Sequence, residues 1–142
     1  MEYLVGHGLD PENQLCTDDF AGHLAHNANL SIKAILGIAS YGYMAGLQGD
    51  AATEEKYMGM ARDMARQWEE MARDGDHYAL TFDNKGTWSM KYNLVWDKLL
   101  GFNVFPPEVA RRELDFYPSV TNLYGLPLKV YAKMKAKNGI TD

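Results

Sequence analysis

The chain has 142 residues, of which 46% are hydrophobic and 23% are charged, and this composition is that of one globular domain rather than a disordered segment. Nineteen acidic residues outweigh fourteen lysines and arginines, and the resulting formal net charge of −5 argues against a dedicated nucleic-acid-binding protein. The single cysteine, Cys16, excludes an intrachain disulfide framework and a cysteine-rich zinc site.

The N-terminal segment, residues 1–16, shows no helical or strand periodicity and is predicted to be irregular. It lacks the basic and apolar stretches of a signal peptide. The longest uncharged run, residues 34–49, is shorter than the roughly 18–20 apolar residues that a membrane-spanning helix needs. We therefore expect a buried core helix in this region and no membrane span.

Two long helices are predicted next, over about residues 19–48 and 51–74. In each, apolar side chains recur at three- and four-residue spacing, which places them on one face. Thr17 or Asp18 is placed to cap the first helix, and the glycines of that helix would let a neighbouring helix approach closely. Because only two or three residues separate the two helices, we expect an antiparallel helical hairpin.

The rest of the chain is predicted to form shorter elements. Residues 78–89 alternate around a turn at 83–86, which favours a small β-hairpin or an extended insertion. Helices are expected over about 90–100 and from Pro106–Pro107 onward, with Pro118 kinking or interrupting the second of them. The predicted fold class is therefore all-α, built from antiparallel helical hairpins with one small extended insertion.

A first cluster of reactive side chains lies at the start of the first predicted helix. Asp18 and Asp19 are adjacent carboxylates, which can act as acid and base. His23 precedes His26 and Asn27 by three and four residues, a spacing that would place these side chains on one helical face. In the alternative, the aspartates only cap the helix and the histidines only form hydrogen bonds across a helix interface. No third ligand is indicated by spacing, so no metal is expected, and without a phosphate-loop or dinucleotide-binding motif no other cofactor is expected either.

A second cluster occupies residues 87–98 and combines tryptophans, a tyrosine and lysines with an asparagine and an aspartate. Aromatic side chains with a few convergent polar groups are typical of small-molecule pockets. In the alternative, the apolar side chains of this segment form the core face of a helix, while its charged side chains lie in water. The core residues would then be Tyr92, Val95, Trp96 and Leu99, with Lys91, Asp97 and Lys98 in water.

Both clusters resemble hallmark motifs of one family. Residues 16–27 read Cys-Thr-Asp-Asp-Phe-Ala-Gly-His-Leu-Ala-His-Asn, and residues 87–100 read Thr-Trp-Ser-Met-Lys-Tyr-Asn-Leu-Val-Trp-Asp-Lys-Leu-Leu. Together with Phe105–Ala110 and Tyr124–Leu128, they resemble, in the same order, the glutaminase A family of fungi and gut bacteria. The resemblance covers about residues 15–128.

The resemblance implies an extracellular or periplasmic enzyme that hydrolyses L-glutamine to glutamate and ammonia. It also implies a six-hairpin α/α toroid similar to that of many glycoside hydrolases, of which this chain would supply only part. We therefore expect a fragment that is inactive in isolation, with glutamine as the small-molecule partner of the full-length enzyme. Within these motifs we expect Asp18 and Asp19 to be the catalytic acid and base. The residues expected to position the substrate are His23, His26, Asn27, Trp88, Lys91, Tyr92 and Asn93.

Two other functions stay open from the residues alone. The paired carboxylates and the tryptophans also suit a piece of a glycoside-hydrolase-like toroid. Amphipathic helices without their ring neighbours would expose apolar faces, which favours a non-catalytic fragment that associates with itself.

The charge changes sign late in the chain. Residues 1–128 carry a net charge of −8, whereas residues 129–142 carry four lysines and one aspartate, a net charge of +3. The resemblance to the family also stops at Leu128. We therefore predict a family segment over residues 1–128 and a basic tail over residues 129–142, which departs from the family and could form a short helix.

Overall fold

The structure, a computed structural model, describes residues 1–16 and 22–130. Within these residues the chain is mostly helical, as the sequence predicts. The helices are α1 (Glu2–His7), α2 (Ala28–Leu47), α3 (Ala51–Ala72), α4 (Leu94–Leu99) and α5 (Pro107–Val120). The strands, each of two residues, are β1 (Arg73–Asp74), β2 (His77–Tyr78), β3 (Trp88–Ser89) and β4 (Lys129–Val130).

The helices α2 and α3 form the predicted antiparallel hairpin. The Trp68 indole N–H near the end of α3 donates to the carbonyl of Ala28 at the start of α2, at 2.8 Å. At the other end, Gly49 turns the chain with a φ of +88°, and the Asp50 carboxylate caps α3 by accepting from the Thr53 amide at 3.0 Å. A hydrogen bond therefore joins the two helices at one end, and a glycine turn followed by a helix cap connects them at the other.

The core lies between α2 and α3 and is closed by residues 102–105. The Trp68 ring packs against the rings of Tyr78 and Phe105, with centroids 5.0 and 5.5 Å apart. In the described part of the chain, α2 is by length and composition a helix that could cross a membrane. Nine of its twenty residues are buried inside the molecule, an arrangement typical of a core helix.

The start of α2 differs from the prediction. The helix begins at Ala28 rather than near residue 19, because the Asn27 side chain caps it by accepting from the Leu30 amide at 2.8 Å. His26 has a positive φ of 60° and lies outside the helix, and His23 forms an isolated backbone bridge with Leu15. The prediction that the two histidines and Asn27 share a helical face is therefore wrong. The predicted caps at Thr17 and Asp18 lie outside the described residues.

The short elements also differ from their predicted form. Residues 2–7, predicted to be irregular, form α1, and α5 continues through Pro118 to Val120. Pro118 removes one backbone hydrogen bond, and because it lies in the last turn only Ser119 and Val120 follow it in the helix. The segment 78–89 is an extended insertion, and its two ends do not pair with each other. Instead, β2 pairs with β1 and β3 pairs with β4, both antiparallel.

Candidate functional site

The candidate residues before α2 are only partly described. Asp18 and Asp19, the predicted catalytic pair, lie outside the residues that the structure describes, so their role stays a prediction. His23 is exposed beside the Leu15 bridge. Asn27 is buried, and both ends of its amide are engaged, because its oxygen caps α2 and its Nδ2 donates to the Cys16 sulfur at 3.2 Å.

His26 is held by its backbone and by its side chain. Its amide donates to the Pro11 carbonyl at 2.7 Å, and its carbonyl accepts from the Phe82 amide at 3.0 Å. The imidazole Nδ1 lies 2.7 Å from the Asp10 carboxylate. This hydrogen bond raises the pKa of His26, partial burial opposes the rise, and the charges of Asp10 and Asp83 add to it.

The second cluster is organised around a buried lysine. The Lys91 ammonium donates to the carbonyls of Ser89 and Tyr78, at 2.7 and 2.9 Å, and lies 3.9 Å from the Glu113 carboxylate. Burial lowers the pKa of Lys91 to about 8, and the negative charge of Glu113 opposes this shift. Because the ammonium is enclosed by protein oxygens, Lys91 connects β2, β3 and α5.

Glu113 is the central residue of this cluster, and the sequence motifs did not indicate it. Its Oε1 accepts from the Tyr78 amide at 3.0 Å, and its Oε2 accepts from the Trp88 indole at 2.9 Å. The available signal was its position, four residues after Val109, which places an acidic side chain on the buried face of α5. A charged residue on such a face is buried only with partners.

The neighbouring residues of this motif also contact other elements of the fold. The Lys91 ammonium lies over the Trp88 ring, with its Nζ 5.7 Å from the ring centroid. The same ring packs edge-on against the Tyr117 ring, with centroids 5.7 Å apart. The Asn93 side chain donates to the Asn29 carbonyl in the first turn of α2, at 3.1 Å. The motif is therefore tied both to α5 and to the start of α2.

A cavity of about 610 Å³ lies between α4 and α5. Its lining is mostly apolar, with Tyr92, Lys98 and Tyr117 among its polar members. At its edge the buried Asp97 carboxylate accepts from the amides of Val104 and Phe105, at 2.9 and 3.1 Å. A concave apolar surface with a few polar groups is the usual form of a ligand site, and also of a seat for another helix.

The structure contradicts the core-face alternative for the segment 87–98. The Val95, Trp96 and Leu99 side chains are exposed, by 51% for Trp96 and 68% for Leu99. Lys91 and Asp97 are buried instead of lying in water, and of the three charged residues only Lys98 is exposed. On the short helix α4, Leu94 packs against the core, whereas Val95, Trp96 and Leu99 are exposed.

The described candidate residues thus form two groups, one before α2 and one around Lys91. The segment 78–82 connects them, since its Tyr78 carbonyl accepts from Lys91 and its Phe82 amide donates to His26. Within residues 1–16 and 22–130, no group of three or more His, Cys, Asp or Glu side chains is placed to hold a metal ion.

Comparison with known proteins decides the family. A family model described as the glutaminase A six helical-hairpin domain matches residues 1–139. The chain belongs to this family. It is 36% identical over 138 residues to a protein named glutaminase A from Aspergillus oryzae, and 32% identical over 155 residues to a probable glutaminase from Arthroderma benhamiae. No solved structure was found to match significantly.

The two glutaminase-family relatives are much longer than this chain. The alignments cover 92% and 89% of this chain but only 20% and 18% of the relatives, so the chain spans about a fifth of their length. The family match includes residues 129–139, and Lys129 and Val130 form β4. The boundary at Leu128 stays a proposal.

Proposed function

We propose that this chain is part of a glutaminase, which hydrolyses the side-chain amide of L-glutamine to glutamate and ammonia. The observation that carries the proposal is the family match over residues 1–139, together with two relatives that are named as glutaminases. On this proposal, the α2–α3 hairpin is one hairpin of a six-hairpin α/α toroid, and the enzyme acts in an extracellular or periplasmic location.

Amide hydrolysis needs a base that activates water and an acid that protonates the departing nitrogen. We assign these two roles to Asp18 and Asp19. Among the residues proposed to position the substrate, His23, His26 and Tyr92 have side chains that solvent reaches. Their buried companions, which are Asn27, Trp88, Lys91 and Asn93, act by shaping the frame that holds the accessible groups.

The test uses a chimera, in which this chain replaces the aligned segment of the Aspergillus oryzae glutaminase A. We expect the chimera to release ammonia from L-glutamine and the isolated chain to release none. The substitutions Asp18→Asn and Asp19→Asn should each lower kcat of the chimera by about 10²–10⁴-fold, since general acid–base catalysis contributes this much. The matched control is Glu55→Gln on the exposed side of α3, which should leave kcat unchanged.

The substrates distinguish this proposal from the glycosidase alternative. Hydrolysis of aryl glycosides without ammonia release would replace the glutaminase proposal with that alternative. Enzyme-like turnover of glutamine by the isolated chain would show that the chain is not an incomplete enzyme.

We further propose self-association of the isolated chain, which a specific observation favours. Apolar side chains are exposed on α4, at its C-cap and at the middle of α5, and two of them, Val95 and Leu114, line the cavity. A contiguous exposed apolar surface favours a partner. The exposed residues are Val95, Trp96, Leu99, Leu100 and Leu114.

A further inference from the structure

Asp10 lies outside every motif of the sequence, yet its carboxylate is the side-chain partner of His26. Its Oδ1 is 2.7 Å from the imidazole Nδ1. The two side chains are 46% and 40% exposed. An ion pair this exposed adds little to folding stability, so stability alone does not explain why it is built with such close geometry.

The backbone conformation of His26 is a second reason to infer a role other than stability. Its φ of 60° lies in the left-handed region, where a glycine would be accommodated without strain. A strained conformation persists only where the surroundings impose it, and such positions cluster at functional sites. Here the Pro11 carbonyl and the Phe82 amide hold the residue on both sides. The fold thus maintains an imidazole at a position where glycine would cause less backbone strain.

The hydrogen bond to Asp10 determines the chemical state of the ring. A carboxylate only accepts, so Nδ1 carries the hydrogen in this pair. In the neutral imidazole the lone pair then lies on Nε2. A carboxylate that orients histidine in this way fixes its tautomer and favours its protonated form.

We propose that Asp10 is a positioning residue that fixes the tautomer and orientation of His26, so that Nε2 accepts a hydrogen bond from an N–H group of the amide substrate. For the identity of the substrate this inference rests on the glutaminase function proposed above. Among the described residues, Asp10 and Asp83 are the charged groups that act on His26. Both are acidic, and both favour its protonation.

The first experiment measures the ring directly in the 142-residue chain. Long-range ¹H–¹⁵N NMR spectra report the tautomer and the pKa of each histidine, and His26→Gln identifies the His26 signals. We expect the Nδ1–H tautomer in the unsubstituted chain and a pKa above the ordinary value of about 6.5. Asp10→Ala should convert the ring mainly to the Nε2–H tautomer and lower its pKa.

Two further variants separate the effect of the hydrogen bond on the tautomer from the effect of the negative charge on the pKa of His26. Asp10→Asn keeps an acceptor without the charge, so the tautomer should be retained while the pKa falls. Asp83→Asn, the matched control, removes a nearby charge without touching Nδ1 and should retain the tautomer. If Asp10→Ala leaves both the tautomer and the pKa unchanged, the positioning role is overturned, whatever the enzyme does.

The second experiment measures ammonia release by the chimera. Asp10→Ala should raise KM for glutamine by about tenfold with a smaller change in kcat, and Asp10→Asn should recover most of the loss.

Because protonated His26 cannot accept at Nε2, kcat/KM falls at acid pH. Lowering the pKa of His26 should move this acid limb to lower pH. An unchanged KM and acid limb in Asp10→Ala would overturn the role in substrate binding. A chimera that releases no ammonia before any substitution would refute the glutaminase function, while the NMR result would still decide the role of Asp10.

Discussion

Glu113 shows how much one buried side chain can determine in this molecule. Its carboxylate accepts from the Tyr78 amide and the Trp88 indole and faces the Lys91 ammonium. Removing water from a carboxylate is costly unless hydrogen bonds and an opposite charge replace it. Glu113 has two such hydrogen bonds and one opposite charge, so its carboxylate is tolerated in the interior. These contacts join β2 and β3 to α5.

Removing this carboxylate should therefore destabilise the chain strongly. We expect Glu113→Ala to lower the free energy of unfolding by about 3–5 kcal/mol, because it leaves the Lys91 ammonium buried without its counter-charge. Urea denaturation of the isolated chain measures the change. The control is Glu108→Ala on the exposed side of the same helix, with an expected change within about 0.5 kcal/mol. Equal effects of the two substitutions would contradict the role of Glu113.

The sequence indicated Lys91 and Trp88 but not their acidic partner. Their motif is a local pattern with several polar and aromatic side chains, so it is recognisable without the fold. Glu113 becomes their partner only because α5 packs against β2 and β3, which is a long-range arrangement. Its buried position could be suspected from the spacing to Val109, but the residues that it contacts could not.

Among the elements, the α2–α3 hairpin depends on close packing at a glycine. A Cβ atom at Gly42 would lie 3.2 Å from the Glu54 carbonyl oxygen, the Met58 amide nitrogen and the Tyr57 Cβ. Two of these neighbours are backbone atoms of α3, which cannot move without shifting the helix. The prediction that glycines let a second helix approach closely is therefore confirmed at this position.

A pair of alanine substitutions tests this packing. Gly42→Ala should lower the free energy of unfolding by about 1–3 kcal/mol, because the added methyl group overpacks the helix interface. Gly59→Ala lies in α3 with open space around its added Cβ, and should instead raise stability by about 0.5–1 kcal/mol through better helix propensity. Thermal or urea unfolding checks both. Stabilisation by both substitutions would show that the helices have room to separate.

The helix bounds show where sequence patterns are informative. The end of α2 and the whole of α3 follow from apolar periodicity, a turn glycine and the Asp50 cap, which are all local signals. The start of α2 does not, since apolar spacing continues back to Leu24 while the backbone leaves the helical region at His26. That change depends on contacts with Pro11 and Phe82, which are distant in sequence.

At the scale of the whole molecule, the described residues expose apolar side chains on α4 and α5. Isolated exposed apolar residues are ordinary on proteins, but here Val95, Trp96, Leu99 and Leu100 are neighbours along the chain, and Val95 and Leu114 line one apolar cavity. The chain spans about a fifth of its relatives, and the proposed toroid would cover this surface with another hairpin. In the isolated chain, a second copy is the available cover.

This proposal predicts the mass of the isolated chain in solution. Light scattering coupled to size exclusion should give a dimer or a larger assembly at tens of micromolar protein. Leu99→Glu should shift the mass to that of the monomer, because a carboxylate in an apolar interface is costly. The control is Leu123→Glu, at a position that is already 90% exposed outside this surface. A monomeric mass for the unsubstituted chain would contradict self-association.

The placement of the three tryptophans has a practical consequence. Trp68 and Trp88 are completely enclosed, whereas the Trp96 ring stands half in solvent on α4. A soluble quencher such as acrylamide would therefore reach mainly one of the three fluorophores. The residual emission would report the integrity of the folded interior, and the quenchable fraction would report whether α4 has been covered. The chain thus carries its own optical reporter of assembly, which needs no label.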